Sequence, residues 1–229
     1  MQALALVLLS PLLALQGLWV VLRAERLPEA AGPRQGQIGN GPPLRVLLTG
    51  DSSAAGVGAA LQEQALAGQL SRALSGQFSV SWEVIAKSGA TTASTDLMIQ
   101  AEGKNTYDIA VIALGVNDSK NGMSAAAWEQ NYKRLINRLR STCEVTRVYV
   151  CGLPEVHNFP LLPVPLRRVL GKRARRFDAI LQSIAAADRD VIYVPMDIPF
   201  DVAKMASDGF HPAPVAYALW GDRIALEVI

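Results

Sequence analysis

From Leu44 onward the chain alternates between short apolar runs and longer stretches whose apolar residues recur at helical spacing. The runs Leu44–Thr49, Val80–Ala86, Ile109–Ala113, Arg147–Cys151 and Val191–Pro195 are short, mostly apolar and rich in β-branched or aromatic residues, which predicts strands. Between them, Ala59–Leu74, Ala125–Arg140 and Arg168–Ala187 read as helices, and Ala213–Glu227 reads as a closing helix. Continuous apolar strands that alternate with helices belong to a parallel sheet buried on both faces. The expectation is therefore an α/β fold, a three-layer α/β/α sandwich around about five parallel strands, with right-handed crossovers. Reacting groups in such sheets gather at the carboxyl ends of the strands. There is no sustained repeat and no heptad run, so residues 44–229 are read as one domain.

The N-terminal pattern is different. Ala3–Leu22 carries no charge and matches the ~20 residues that a helix needs to cross a bilayer, although Pro11, Gln16 and Gly17 interrupt it. No basic residue precedes this stretch, and no small-residue cleavage site separates it from Arg23, Arg26 and Pro28. Residues 1–27 are thus read as an uncleaved membrane anchor, in preference to a secretory signal or a hydrophobic helix packed on the domain. Arg23, Arg26, Arg34 and Arg45 lie on the C-terminal side and favour a domain held at the cytoplasmic face. A cleaved signal would instead imply a periplasmic or secreted protein. Residues 28–43 are rich in Gly, Pro and polar side chains and read as a linker.

Composition narrows the picture. With 229 residues, 50% hydrophobic and 18% charged, the chain can bury a sizeable core and is not disordered. A net charge of +2 gives no reason to expect a nucleic-acid partner. Two cysteines, Cys143 and Cys151, make no disulfide framework and have no metal-site company, so neither metal nor cofactor is expected. Arg167, Arg168, Lys172, Arg173, Arg175 and Arg176 form a basic run that reads either as a solvated helix face or as a surface for anionic headgroups.

The chemistry sits at strand ends. Gly50-Asp51-Ser52 follows the first strand, and Asp208-Gly209-Phe210-His211-Pro212 precedes the last helix. A serine, an imidazole and a carboxylate are the groups that make a hydroxyl nucleophilic. The chain has two histidines, so His211 has one rival base, His157. Taken singly, Ser52 also suits a helix cap, and Asp208 with His211 also suits a surface turn. Asp51 reads as a structural tie for the turn or as an electrostatic tuner, and Asp118 as a cap of its own segment. Gly89 follows the second strand and offers either a bare backbone N–H or an ordinary turn. Asn117 follows the third strand and offers either a neutral amide donor or an Asx turn. The apolar, proline-containing stretch Phe159–Leu166 reads as the wall of an acyl pocket or as a packed loop.

Four blocks in this order carry a resemblance. Thr49-Gly50-Asp51-Ser52-Ser53, Ser88-Gly89-Ala90-Thr91, Leu114-Gly115-Val116-Asn117-Asp118 and Asp208-Gly209-Phe210-His211-Pro212 resemble the motifs of the SGNH (GDSL-type) hydrolase family. The likeness runs from about Leu44 to the C-terminus. One departure is Lys87-Ser88, where the second block often carries an asparagine. The resemblance implies a flavodoxin-like fold and metal-free hydrolysis of esters or thioesters. It implies Ser52 as nucleophile, His211 as general base and Asp208 as its orienting carboxylate. It further implies an oxyanion hole made of the Ser52 N–H, the Gly89 N–H and the Asn117 side chain.

The expected substrate is a small-molecule or lipid ester, such as a short or medium acyl ester or a lysophospholipid, acting at a membrane reached through residues 3–22. Two further readings stand beside it. One is an O-acetyl esterase or acyltransferase working on a glycan, and the other is a binding module that uses the fold without catalysis.

Overall fold

The computed structural model describes residues 2–196, 198 and 202–229. Its α-helices are α1 (Gln2–Arg23), α2 (Leu66–Leu74), α3 (Thr92–Glu102), α4 (Val116–Lys120), α5 (Ala125–Cys143), α6 (Leu166–Ala187) and α7 (Pro214–Val228). Its strands are β1 (Gln35–Ile38), β2 (Pro43–Gly50), β3 (Ser79–Ala86), β4 (Ile109–Ala113), β5 (Arg147–Cys151) and β6 (Val191–Val194). They form one sheet in the order β1-β3-β2-β4-β5-β6. All neighbours run parallel except β1 and β3. Without β1, the order is that of a flavodoxin-like doubly wound sheet.

The apolar strand runs supply both faces of this sheet. Leu47, Ala110, Ile112, Val148 and Val150 enter one core with Trp128, Leu135 and Phe177 from α5 and α6. Their neighbours Val46, Leu48, Val111, Tyr149 and Cys151 enter the other with Leu70, Leu74, Tyr217 and Trp220 from α2 and α7. Successive side chains of a strand point to opposite faces, so a strand covered by helices on both sides has no polar alternation to show.

Among the described residues the sheet has six strands rather than about five. The additional one lies in the segment read as a linker: Gln35–Ile38 pairs antiparallel with Val80–Glu83. The helix expected from Ala59 begins at Leu66. Before it the chain turns sharply, with Gly56 and Gly58 at φ +84° and +97°, and Gln62 is buried where its amide bonds the carbonyls of Ala30 and Ala55. Helix α3 was not legible as a helix, because three of its four buried side chains, Thr92, Thr95 and Asp96, are polar. Asp96 is held by Arg138 at 2.9 Å.

The N-terminal expectation is overturned. Among the described residues, no helix is long and apolar enough to cross a membrane. This corrects both the anchor expected over Ala3–Leu22 and the membrane localisation drawn from it. Gln16, a polar residue within that stretch, has partners in the domain. Gln16 Nε2 donates to the Val164 carbonyl at 2.7 Å, and its Oε1 accepts the Leu166 N–H at 3.0 Å. Val20 packs on the core that contains Trp128.

Trp128 is fully buried, stacks on Phe177 at 4.2 Å and donates its indole N–H to Thr92 Oγ1 at 3.1 Å. Trp128→Ala is expected to cost about 3–5 kcal/mol. Urea unfolding should show this as a lower midpoint with an unchanged slope.

Candidate active site

Ser52 stands in the turn that leaves β2. A Cβ at Gly50 would lie 2.2 Å from the Ala113 carbonyl, so this close approach of β2 to β4 requires glycine. The turn is then tied by backbone bonds from Asp51 N to Ala113 O at 3.1 Å, Ala55 N to Asp51 O at 2.9 Å and Val57 N to Ser52 O at 2.9 Å. Among the described residues the Ser52 N–H makes no such bond.

Asp208 and His211 come from the loop before α7. The buried Asp208 carboxylate accepts the backbone N–H groups of Phe210 at 2.9 Å and His211 at 3.0 Å through Oδ1. Its Oδ2 meets His211 Nδ1 at 2.5 Å. His211 Nε2 lies 2.8 Å from Ser52 Oγ, across 159 residues of sequence. Burial alone would raise the Asp208 pKa, but the His211 side chain and the two backbone donors outweigh it and hold the carboxyl below its ordinary range. The carboxylate therefore stays ionised where an imidazole can take up a proton. The three residues read as nucleophile, base and orienting acid are brought into one hydrogen-bonded chain.

The other two blocks meet beside this chain. Ala86 is the parallel partner of Gly50, so Gly89 leaves the sheet next to the Ser52 turn. Gly89 is at φ +79°, with open space where a Cβ would stand, and its N–H makes no hydrogen bond among the described residues. Asn117 lies in the first turn of α4. Its Nδ2 donates to the Ala90 carbonyl at 3.0 Å and lies 3.5 Å from Asp51 Oδ2. The amide is thus held between the Ser52 turn and the Gly89 loop.

Asp118 is not the cap expected of it, since α4 follows Gly115 with no side-chain cap bond. Fully buried, it accepts the Thr92 N–H at 3.1 Å and the Thr92 hydroxyl at 3.2 Å, fastening the third block to the start of α3. Burial raises its pKa against those bonds. Asp51 is also buried, and burial pushes its carboxyl up to about 6, opposed by the Ser53 N–H at 3.1 Å. His157, the rival base, directs Nδ1 to Arg175 Nη1 at 3.2 Å and has no bond to Ser52. Arg173 of the basic run is structural, since it donates to the carbonyls of Ser119 and Met123 at 2.7 and 2.8 Å.

A cavity of about 560 Å³ opens beside Asp51 and Ser53. Leu114, Val116, Leu153, Met205 and Phe210 line it, and Asp178 and Tyr193 lie toward the β6 side. Of the Phe159–Leu166 stretch only Phe159 reaches this wall, where it meets Phe210 edge-on at 5.8 Å. Among the described residues there is no group of three or more His, Cys, Asp or Glu side chains that could hold a metal ion.

The model of the GDSL-like lipase/acylhydrolase family matches residues 48–219. A GDSL-like esterase of Mycobacterium tuberculosis is 26% identical over 200 residues, which cover 81% of this chain and 62% of that protein. The chain thus spans less than two thirds of that relative. Among solved structures, a lipase/acylhydrolase from Enterococcus faecalis superposes with a TM-score of 0.62 at 20% identity, over 81% of this chain and 95% of that one. A carbohydrate acetylesterase from Sinorhizobium meliloti superposes with a TM-score of 0.64 at 18% identity, over 81% and 98%. These two likenesses show the fold.

The raised Asp51 pKa makes a prediction about stability. Between the ordinary value of 3.8 and about 6 the unfolded chain gives up this proton before the folded one does. The contribution of Asp51 to stability is therefore full below that window and falls as pH rises through it. Asp51→Asn removes the titration and keeps an oxygen for the Ser53 N–H. Relative to this variant, the wild type should lose on the order of 2–3 kcal/mol between pH 4 and pH 7. Urea unfolding of the two proteins across that range checks it, and parallel curves would refute it.

Proposed function

The chain belongs to the GDSL-like lipase/acylhydrolase family, and on that premise we propose that it hydrolyses carboxylic esters through an acyl-enzyme on Ser52. The observation that carries this reading is the continuous chain Ser52 Oγ–His211 Nε2 at 2.8 Å and His211 Nδ1–Asp208 Oδ2 at 2.5 Å.

In the first half-reaction Ser52 Oγ attacks the ester carbonyl as His211 Nε2 takes its proton. Asp208, ionised and acceptor-only, stabilises the imidazolium and fixes which ring nitrogen carries hydrogen. The tetrahedral oxyanion is received by the N–H groups of Ser52 and Gly89 and by the Asn117 amide, which swings a donor from its resting partners. Collapse breaks the ester C–O bond, and the imidazolium returns its proton to the leaving alkoxide. A water then attacks the acyl-enzyme with His211 as base, releasing the acid and restoring Ser52.

The mostly apolar cavity of about 560 Å³ borders the Ser52 turn at Asp51 and Ser53, without Ser52, Gly89, Asn117 or His211 in its wall, and as a neighbouring acyl subsite it would suit a medium chain better than acetate. A glycan O-acetyl ester, the substrate class named for the Sinorhizobium protein, would need little of that volume.

Two predictions test this reading. With p-nitrophenyl esters from acetate to laurate, Ser52→Ala should lower turnover by on the order of 10⁴–10⁶. The optimum should fall at a medium chain, whereas an acetate optimum would select the O-acetyl reading. Turnover retained by Ser52→Ala would remove Ser52 as nucleophile. Asn117→Ala should lower kcat by about 10²–10³ with little change in KM, and wild-type turnover in that variant would take Asn117 out of the oxyanion hole.

A further inference from the structure

We propose that the segment from Glu25 to Arg34 is a strap that sets the active-site loops, with Glu29 as a positioning residue for the oxyanion donor at Gly89. This rests on the ester-hydrolase reading of the site.

The segment bonds to three of the four loops that carry candidate catalytic or oxyanion groups, all but that of Asn117. Glu25 Oε2 accepts the Ser207 hydroxyl at 2.7 Å, one residue before Asp208. Ala30 N donates to the Ala55 carbonyl at 3.3 Å and Ala31 N to the Ala60 carbonyl at 3.0 Å, both in the turn that follows Ser52. The buried Gln62 amide spans the same two chains, donating to the carbonyls of Ala30 and Ala55 at 3.2 Å each. Glu29 Oε1 accepts the Ser88 N–H at 2.6 Å.

This last bond bears on chemistry. Ser88 immediately precedes Gly89, and Gly89 has a positive φ, an exposed backbone and no neighbour within 4 Å of its Cβ direction. Little else holds that peptide, apart from the turn bond of Ala90 N to Lys87 O at 3.0 Å. A glycine peptide so placed can rotate, and an oxyanion donor contributes only where it is aimed beforehand. The Glu29 carboxylate supplies a charge-assisted acceptor one peptide upstream. Arg34 holds that carboxylate by an ion pair and donates Nη1 to the Ala86 carbonyl at 2.6 Å, at the end of β3. Arg34 is itself in register, since its carbonyl accepts the Val84 N–H at 2.7 Å. The path from strand to strap to oxyanion loop is thus closed by named bonds.

The test compares the full chain with Glu29→Ala and Glu29→Gln, because glutamine keeps an oxygen for the Ser88 N–H and loses the charge. In Glu29→Ala, kcat on a p-nitrophenyl ester should fall about tenfold, the effect of losing the acceptor of the Ser88 N–H felt in the transition state, with KM within about twofold. Amide hydrogen exchange in the 86–91 segment should accelerate, and Glu29→Gln should recover most of kcat and of the protection. Melting temperatures of both variants separate this from a general loss of stability. An unchanged kcat in folded Glu29→Ala overturns the proposal, as does an equal loss in both variants. Should the wild type cleave no ester, the hydrolase reading fails, and the exchange measurement decides the strap alone: unchanged protection at 86–91 in Glu29→Ala refutes it, and faster exchange supports it.

Discussion

β2 and β4 close against each other at Gly50, and the geometry of the site follows from that contact. The missing Cβ lets the Ala113 carbonyl come within reach of the Asp51 N–H. The chain must then turn out of the sheet at once, which lifts Ser52 above the strand ends. The two strands lie at the point where the sheet order reverses, with β3 on one side of β2 and β4 on the other. Loops from both sides diverge there and leave room for a substrate. A side chain at Gly50 would have to push β4 away and would carry Leu114–Asn117 with it.

Around that contact the protein buries carboxylates, which is costly unless donors surround them. Asp118 is surrounded by Thr92, and Thr92 in turn accepts from Trp128, so a polar line runs from the third block through α3 into α5. Asp208 has two backbone donors and an imidazole. Asp51 has less, the Ser53 N–H and a distant amide, and its carboxyl is the one pushed up to about 6. The three acids therefore differ in what their surroundings do to them: Asp208 is kept ionised beside the His211 imidazole, and the other two spend their oxygens holding loops in place.

Much of this was legible in the residues. The β2 to β6 runs are short, apolar and bounded by glycine or polar residues, and burial on both faces leaves that pattern intact. The serine, glycine and asparagine blocks fall just past those runs, where the fold class puts reacting groups, and the aspartate-histidine block falls just before the last helix. What was not legible has a common cause. Helix α3 buries threonine and aspartate, so its inner face looks like a surface. The stretch from Ala59 has helical composition, but Gly56, Gly58 and the buried Gln62 commit it to tight turns first. In each case a buried polar side chain bonds a partner outside its own element, Asp96 to Arg138 and Gln62 to Ala30, which local periodicity does not encode.

The N-terminal segment is the sharpest instance of that limit. Hydropathy weighs Ala3–Leu22 residue by residue and cannot register that Gln16 has both of its polar atoms matched by Val164 and Leu166. Composition likewise makes Pro28–Pro43 a linker, since it is rich in glycine, proline and polar side chains. Yet its middle is an edge strand, and its start spans the loops of the site. Proline and glycine there limit and shape the path rather than loosen it, because an edge position needs only one ladder of hydrogen bonds. A segment can thus read as a spacer by composition and still act as part of the site. The difference lies in a few side chains, Glu29, Arg34 and Gln62, whose partners are more than thirty residues away or across the turn, and whose bonds fix where the catalytic loops stand.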